Sequence, residues 1–174
     1  MNASDKCKLV IGFYIVGHSA GGQLGAMMLS VDWSEKYGLP KDFIKGACLV
    51  SGVFDVRPLV GSYVNEPLHM TDEQAYQVSP IIPTNLSEAI RLCPRCKIIN
   101  VCGEHDPPIF HQMMRDYTKE LSKGGVDATC EVIPGLDHFE LIERLSEAEY
   151  SLTQTVLGMM SLPAKNNLAT EQSM

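Results

Sequence analysis

A serine lies between two glycines at the point where the sequence changes from an apolar, strand-like pattern to a helical one. Ser19 is the centre of Gly17-His-Ser-Ala-Gly21, which has the spacing G-x-S-x-G. The two glycines allow a tight turn that projects the serine hydroxyl away from the sheet, as a nucleophile requires. In such a turn the backbone N–H of Ala20 faces the oxyanion that forms during attack on a carbonyl carbon. The alternative is an ordinary helix entry in which Ser19 is only the N-cap.

An acid and a base follow Ser19 in the chain, in the order that serine catalysis on this kind of turn uses. Asp106 comes just after the third predicted strand, and His138 comes just after the fourth. Because the carboxyl ends of parallel strands meet at one edge of a sheet, the three side chains can converge there. His138 would then accept the proton of Ser19 and deliver it to the leaving group, while Asp106 orients the imidazole.

Other acids and histidines compete for these two roles. Asp55 follows the second predicted strand, which is a position that some hydrolases use for the acid. His105 directly precedes the predicted acid, so its side chain is expected to point away from the site. His18 is a candidate pocket residue beside the nucleophile. The two remaining histidines, His69 and His111, are most simply surface or structural residues.

The elements that must position these residues alternate between strands and helices. Four apolar, β-rich segments are predicted as strands, at residues 9–16, 46–51, 97–102 and 128–133. Helical spacing predicts helices at residues 21–30, 72–77, 109–123 and 139–160. This alternation indicates βαβ units and a mostly parallel sheet, in a single domain over residues 9–162. Residues 1–8 are then a short N-terminal segment, and residues 163–174 a flexible tail.

Composition argues against several classes of protein. The chain has 174 residues and a formal net charge of −7, without the clustered Lys and Arg that binding to a phosphate backbone requires. Nucleic acid is therefore not an expected partner. The longest apolar run, Leu9–Val16, is too short to cross a bilayer, so we expect no membrane association. The six cysteines are scattered, which favours reduced thiols and a cytoplasmic location, with the nucleus as a further option.

One cysteine pair has a spacing used by redox sites and by half of a zinc site. Cys93-Pro-Arg-Cys96 lacks the second pair that a structural zinc site needs. It also precedes a predicted strand, whereas a thioredoxin-type pair opens a helix. We therefore expect an ordinary loop at residues 93–96 and no metal.

The sequence resembles known proteins at two levels. The order serine, acid and histidine, each after a strand, is that of the α/β-hydrolase fold. The runs Gly17–Gln23, Ser51–Val60 and Tyr63–Leu68 are similar to kynurenine formamidase, and the similarity extends from about Tyr14 to Met160. This resemblance implies hydrolysis of N-formyl-L-kynurenine to L-kynurenine and formate in tryptophan catabolism, by a serine triad with no metal or cofactor. A homodimer is a further option that the family suggests.

The resemblance also suggests a substrate pocket. A pocket for an aromatic amino acid needs apolar walls and polar anchors, and the long insert at residues 52–83 is a candidate for both. Its candidate residues, each of which could equally be structural, are Phe54, Tyr63, Asn65 and Glu66. The alternative functions are a general carboxylesterase of the hormone-sensitive-lipase-like group and a truncated isoform without catalysis.

One part of the family pattern is missing upstream of Ser19. The family carries a His-Gly-Gly segment whose backbone donors complete the oxyanion hole, and no such segment precedes Ser19 in this sequence. The sequence therefore predicts the C-terminal half of an α/β-hydrolase fold, with Met1–Lys8 as a foreign or alternative start. We expect the serine-bearing strand to have an unpaired edge, and the chain alone to be unstable and poorly active.

Overall fold

The computed structural model describes residues 12–160, and within that range four strands form one parallel sheet. The strands lie in the order β1-β2-β3-β4. Their bounds are β1 (Phe13–His18), β2 (Ile44–Val50), β3 (Lys97–Gly103) and β4 (Asp127–Ile133). The segment predicted at residues 1–8, the start of the first predicted strand and the tail predicted at residues 163–174 lie outside the described residues.

Seven α-helices connect or flank these strands within the described range. They are α1 (Ala20–Leu29), α2 (Trp33–Tyr37), α3 (Asp72–Gln77), α4 (Pro83–Leu92), α5 (Pro108–Lys123), α6 (Glu140–Glu143) and α7 (Ser151–Met159). The starts of α4 and α5 carry proline in the first turn, where the missing N–H has no intrahelical partner in any case. None of these helices combines the length and the apolar character needed to span a bilayer.

Alternate residues of the central strands enter two separate hydrophobic clusters, one on each face of the sheet. In β2, Ala47 and Leu49 belong to one cluster, while Cys48 and Val50 belong to the other. The first cluster also contains residues of α1, α4 and α5, and the second contains residues of α6 and α7. Burial on both faces explains why the central strands read as continuous apolar runs. The predicted α/β class with a parallel sheet is confirmed.

The strand that leads to Ser19 is an edge strand in the part of the chain that the structure describes. β1 pairs with β2 alone. Three apolar side chains on β1 are exposed, namely Phe13 (55%), Tyr14 (36%) and Val16 (38%). Exposed apolar residues on an unpaired strand favour association with another strand, so low solubility of the chain alone stays a prediction.

The prediction of one long helix at residues 139–160 is wrong. The structure has α6, a turn of 3-10 helix at Arg144–Ser146 and a separate α7. Between them the backbone is extended at Glu147 and Tyr150, and the Tyr150 side chain is buried against the sheet. The apolar residues on either side of the break keep a spacing of three, four or seven positions, so periodicity alone could not reveal it.

Two helices of the structure were not predicted. Helix α2 is a short helix that Asp32 caps through the backbone N–H of Glu35. Helix α4 has apolar residues at helical spacing, namely Leu86, Ala89 and Ile90, so its pattern is visible in the sequence although it was not predicted. It packs against α1 and α5 on one face of the sheet.

Candidate active site

Ser19 occupies a strained turn between β1 and α1. Its backbone angles are φ 56° and ψ −117°, a positive φ that residues other than glycine rarely adopt. The Ser19 N–H donates to the carbonyl of Val50 at 2.9 Å, which fixes the turn to the end of β2. Strain of this kind persists only where the surrounding structure enforces it, and it is common at catalytic residues.

The two glycines of the motif do not have the same role. A Cβ atom on Gly17 would lie 2.2 Å from the carbonyl oxygen of Gly21, so the turn closes only with glycine at position 17. A Cβ atom on Gly21 would meet nothing within 4 Å. The second close approach belongs to Gly22, where a Cβ atom would lie 2.8 Å from the Cα of Gly52. The motif reading therefore missed Gly22 as a sterically required position.

The structure argues against a capping role for the Ser19 side chain. Ser19 is the N-cap residue of α1, but its side chain makes no capping hydrogen bond. Its φ and ψ also differ from the extended backbone that N-cap residues usually adopt. The Ser19 hydroxyl therefore does not cap the helix, which argues against the N-cap alternative.

Asp106 and His138 form a buried acid–base pair at the ends of β3 and β4. The Nδ1 atom of His138 lies 2.6 Å from Oδ1 of Asp106, whose side chain is 0% exposed, while the imidazole is 20% exposed. Because a carboxylate can only accept, Nδ1 carries the proton and Nε2 carries the lone pair of the neutral ring. This tautomer is the one that a general base acting through Nε2 requires.

The second oxygen of Asp106 is also occupied. Oδ2 accepts a hydrogen bond from the Ser51 hydroxyl at 2.6 Å and from the backbone N–H of Gly103 at 2.9 Å. Ser51 is fully buried and has a positive φ of 45°. Sequence reasoning missed Ser51, although its place at the carboxyl end of the second predicted strand was a signal that could have identified it.

His18 ties the histidine loop to the end of β1. Its Nε2–H donates to the backbone carbonyl of His138 at 2.8 Å, and the two ring centroids lie 4.5 Å apart. Burial lowers the pKa of His18 below its usual value, so the neutral ring is favoured. This hydrogen bond connects His18 to the loop of His138, and a place for His18 in a substrate pocket stays a prediction.

These contacts bring the three predicted catalytic residues to one edge of the sheet. Ser19 directly follows His18, which contacts His138, which contacts Asp106. Among the contacts of residues 12–160 there is no hydrogen bond between the Ser19 hydroxyl and the His138 ring. Such bonds are often long in the absence of substrate. The meeting of hydroxyl and imidazole therefore stays a prediction.

The competing residues lie elsewhere. Asp55 forms an ion pair with Arg57, with Oδ2 of Asp55 2.7 Å from the guanidinium, and this pairing lowers the pKa of Asp55. The acid bound to His138 is thus Asp106. His105 and His69 are exposed, as expected for residues outside the site.

Two of the predicted pocket residues, Phe54 and Asn65, make structural contacts. Phe54 is 0% exposed and stacks on Tyr117 with centroids 4.4 Å apart, so its assignment to a substrate pocket is wrong. The Asn65 amide bonds the carbonyls of Val60 and Met70 and accepts from the Met70 N–H, so it shapes its own loop. Tyr63 is 81% exposed and remains a candidate.

One cavity of the structure lies away from this site. It has a volume of about 460 Å³ and is lined by residues at the amino ends of β2 and β3, among them Ile44 and Cys96. Ser19, Asp106 and His138 lie at the carboxyl ends of the strands, where ligands bind in open parallel sheets. Within residues 12–160, no group of three or more His, Cys, Asp or Glu side chains is arranged to hold a metal ion.

The structure has the features of an α/β-hydrolase fold. Four parallel strands have helices on both faces, a strained serine turn follows the first strand, and an Asp-His pair follows the third and fourth strands. A solved structure agrees: the fluorophosphonate-binding serine hydrolase F of Staphylococcus aureus matches with a TM-score of 0.59, at 20% identity, over 84% of this chain and 53% of that one. At this level of identity the likeness concerns the fold.

Sequence comparison identifies the nearer relationship. The chain is 44% identical to kynurenine formamidase of Salmo salar over 87% of this chain and 50% of that protein. It is 40% identical to kynurenine formamidase of Danio rerio, with the same two shares, 87% and 50%. This chain is a homologue of kynurenine formamidase, as its sequence motifs suggested, and it spans about half the length of the relatives it matches. No protein-family model matches the chain.

Proposed function

We propose that the chain carries the catalytic residues of a serine hydrolase that converts N-formyl-L-kynurenine to L-kynurenine and formate. The observation that carries this proposal is the hydrogen bond between the His138 ring and the buried Asp106 carboxylate, beside the strained turn of Ser19. Homology to kynurenine formamidases supports the choice of substrate. A formyl amide is cleaved by the same acyl-transfer chemistry as an ester, so the serine machinery suits it.

In the proposed mechanism Ser19 is the nucleophile and His138 the general acid and base. The Ser19 oxygen attacks the formyl carbon while Nε2 of His138 accepts the hydroxyl proton. Asp106 holds the ring and stabilises the imidazolium that forms. The imidazolium then protonates the aryl amine nitrogen, the C–N bond breaks and L-kynurenine leaves. Water, deprotonated by His138, attacks the formyl ester on Ser19 and releases formate.

The oxyanion requires donors that point at the reacting carbonyl. Ala20 follows Ser19 as the first residue of α1, and its backbone N–H lies at the positive end of the helix. In the family, an upstream His-Gly-Gly segment supplies further donors. Loss of one oxyanion donor typically costs about 10²–10³ in kcat, so we propose that the chain alone has low turnover.

Two further aspects follow from the sequence and remain proposals. The described cysteines are free thiols, which supports a cytoplasmic location, with the nucleus as an alternative. The exposed apolar edge of β1 supports self-association of the chain alone.

The test is hydrolysis of N-formyl-L-kynurenine compared with a short p-nitrophenyl ester. The chain is assayed alone and with the upstream half of its relatives joined to it, each with a Ser19→Ala control. A formamidase hydrolyses the formyl amide with the higher kcat/KM, and Ser19→Ala removes about 10⁴-fold or more of that activity. Preference for the ester would instead support the carboxylesterase alternative. Activity that survives Ser19→Ala would contradict the proposed nucleophile.

A further inference from the structure

A pair of cysteines lies at the opposite end of the sheet from Ser19. Cys93 ends α4, and Cys96 directly precedes β3. Both side chains belong to the hydrophobic core, with exposures of 5% and 4%. Sequence spacing alone suggested an ordinary loop here, but the structure adds a cavity of about 460 Å³ that both cysteines line.

The backbone holds the two cysteines at a separation that a disulfide can bridge. The Cys96 N–H donates to the Cys93 carbonyl at 3.1 Å, which closes a β-turn with Pro94 and Arg95 at its centre. Residues at the ends of a β-turn have Cα atoms less than about 7 Å apart, and disulfides span about 4.4–6.8 Å between Cα atoms. The Cys93 thiol donates to the Leu29 carbonyl at 3.5 Å, and the Cys96 thiol donates to the Ile44 carbonyl at 3.0 Å.

The surroundings distinguish the two thiols. Interaction with the Cys93 thiol and the nearby charge of Lys45 lower the pKa of Cys96, while burial and the charge of Asp42 act in the opposite direction. Interaction with Cys96, together with burial, raises the pKa of Cys93. Cys93 also lies at the carboxyl end of α4, where the helix dipole disfavours an anion. Cys96 is therefore the thiol that supplies the nucleophilic thiolate.

The cavity is suited to an anionic reactant. Four basic and two acidic side chains line it, although the whole chain has a formal net charge of −7. The basic residues nearest the cysteine turn, Lys45 and Arg95, both pair with Asp42, at 2.5 Å and 4.0 Å. The lining as a whole still has two more basic than acidic groups. A small disulfide that carries carboxylates, such as glutathione disulfide, has the charge that this local environment attracts.

We propose that Cys93 and Cys96 form a redox-active dithiol site that reacts with an anionic low-molecular-weight disulfide. The Cys96 thiolate attacks one sulfur of glutathione disulfide, and the S–S bond breaks to release one glutathione. Cys93 loses its proton and attacks the Cys96 sulfur of the mixed disulfide, which releases the second glutathione. Two protein thiols are oxidised to one disulfide, one glutathione disulfide is reduced, and the two thiol protons end on the two glutathione molecules.

The site is tested on the reduced full chain with glutathione disulfide, followed by alkylation and peptide mass spectrometry. We expect an intramolecular Cys93–Cys96 bridge, while Cys130, an exposed thiol, forms only a mixed disulfide. In Cys93→Ser the reaction should stop at the mixed disulfide on Cys96. In Cys96→Ser, Cys93 should react at least about tenfold more slowly.

Two comparisons show whether the fold creates this reactivity. Exchange at the pair should be faster with glutathione disulfide than with uncharged hydroxyethyl disulfide, and added salt should reduce the difference. Denaturing urea should abolish the difference in exchange rate between Cys93 and Cys96. The proposal is overturned if the pair stays reduced while Cys130 is modified, if the two single variants react equally fast, or if urea leaves the rates unchanged. None of these outcomes depends on the proposed hydrolase activity.

Discussion

Replacement of Ser51 by alanine removes one of the donors that hold the buried Asp106 carboxylate. The Ser51 hydroxyl lies 2.6 Å from Oδ2 of Asp106, and both side chains are inaccessible to water. In Ser51→Ala the Gly103 N–H still donates to Oδ2 at 2.9 Å, but water cannot reach the site to replace the lost hydroxyl. A buried charged acceptor that loses a partner bears most of its desolvation penalty.

The size of the effect follows from this burial. A hydrogen bond to a charged group contributes about 1.5–3 kcal/mol, so Ser51→Ala should lower the free energy of unfolding by that amount. Ser51 also has a φ of 45°, which costs a residue with a Cβ atom about 1–2 kcal/mol relative to glycine. Ser51→Gly loses the same hydroxyl but relieves this strain. It should therefore be roughly 1 kcal/mol more stable than Ser51→Ala.

Urea unfolding measures this directly. The single tryptophan, Trp33, reports unfolding by fluorescence, and circular dichroism checks that the transition is two-state. Ser122→Ala is the matched control, because its hydroxyl bonds the Ala128 carbonyl at an exposed position, and it should change stability by less than about 0.5 kcal/mol. If Ser51→Ala were as harmless as Ser122→Ala, the assigned role of Ser51 would be refuted.

Three other predictions concern the same edge of the sheet. Asp106→Asn should slow fluorophosphonate labelling of Ser19 by up to about 10⁴-fold, whereas Asp55→Asn should leave it nearly unchanged; equal losses would contradict the choice of acid. Gly17→Ala should unfold the turn, because its Cβ would lie 2.2 Å from a carbonyl oxygen. Gly21→Ala has open space around its Cβ and should be tolerated. Thermal melting of the two variants measures the difference. Folding lowers the pKa of His18 below 6.5, so the unfolded chain binds more protons than the folded chain. The free energy of unfolding should therefore fall as the pH decreases through 6.5. This part of the pH dependence should disappear in His18→Gln, and its persistence there would exclude His18 as the cause.

The parts of the site that could be predicted are those encoded by local sequence. Ser19 lies in a glycine-flanked turn between an apolar run and a helical run, and both runs are visible without a structure. The acid and the base each follow a strand, so chain order alone predicted the hydrogen-bonded pair of Asp106 and His138. That these residues perform catalysis is still a proposal.

The parts that could not be predicted depend on contacts between distant residues. Ser51 reaches Asp106 only because β2 and β3 are neighbours in register. Phe54 was expected in a pocket, but it is fully buried and stacks on Tyr117 of α5. Both outcomes depend on which elements pack together, which periodicity and turn residues do not specify.

The central claim is that Ser19 is a nucleophile activated by His138. Its most direct test is fluorophosphonate labelling of the folded chain, with the modified residue mapped by mass spectrometry and with His138→Ala as the comparison. We expect one phosphonylated residue, Ser19, in the unsubstituted chain and at least about 10³-fold slower labelling in His138→Ala. A folded chain that is not labelled at Ser19, or is labelled equally fast without His138, would contradict the account.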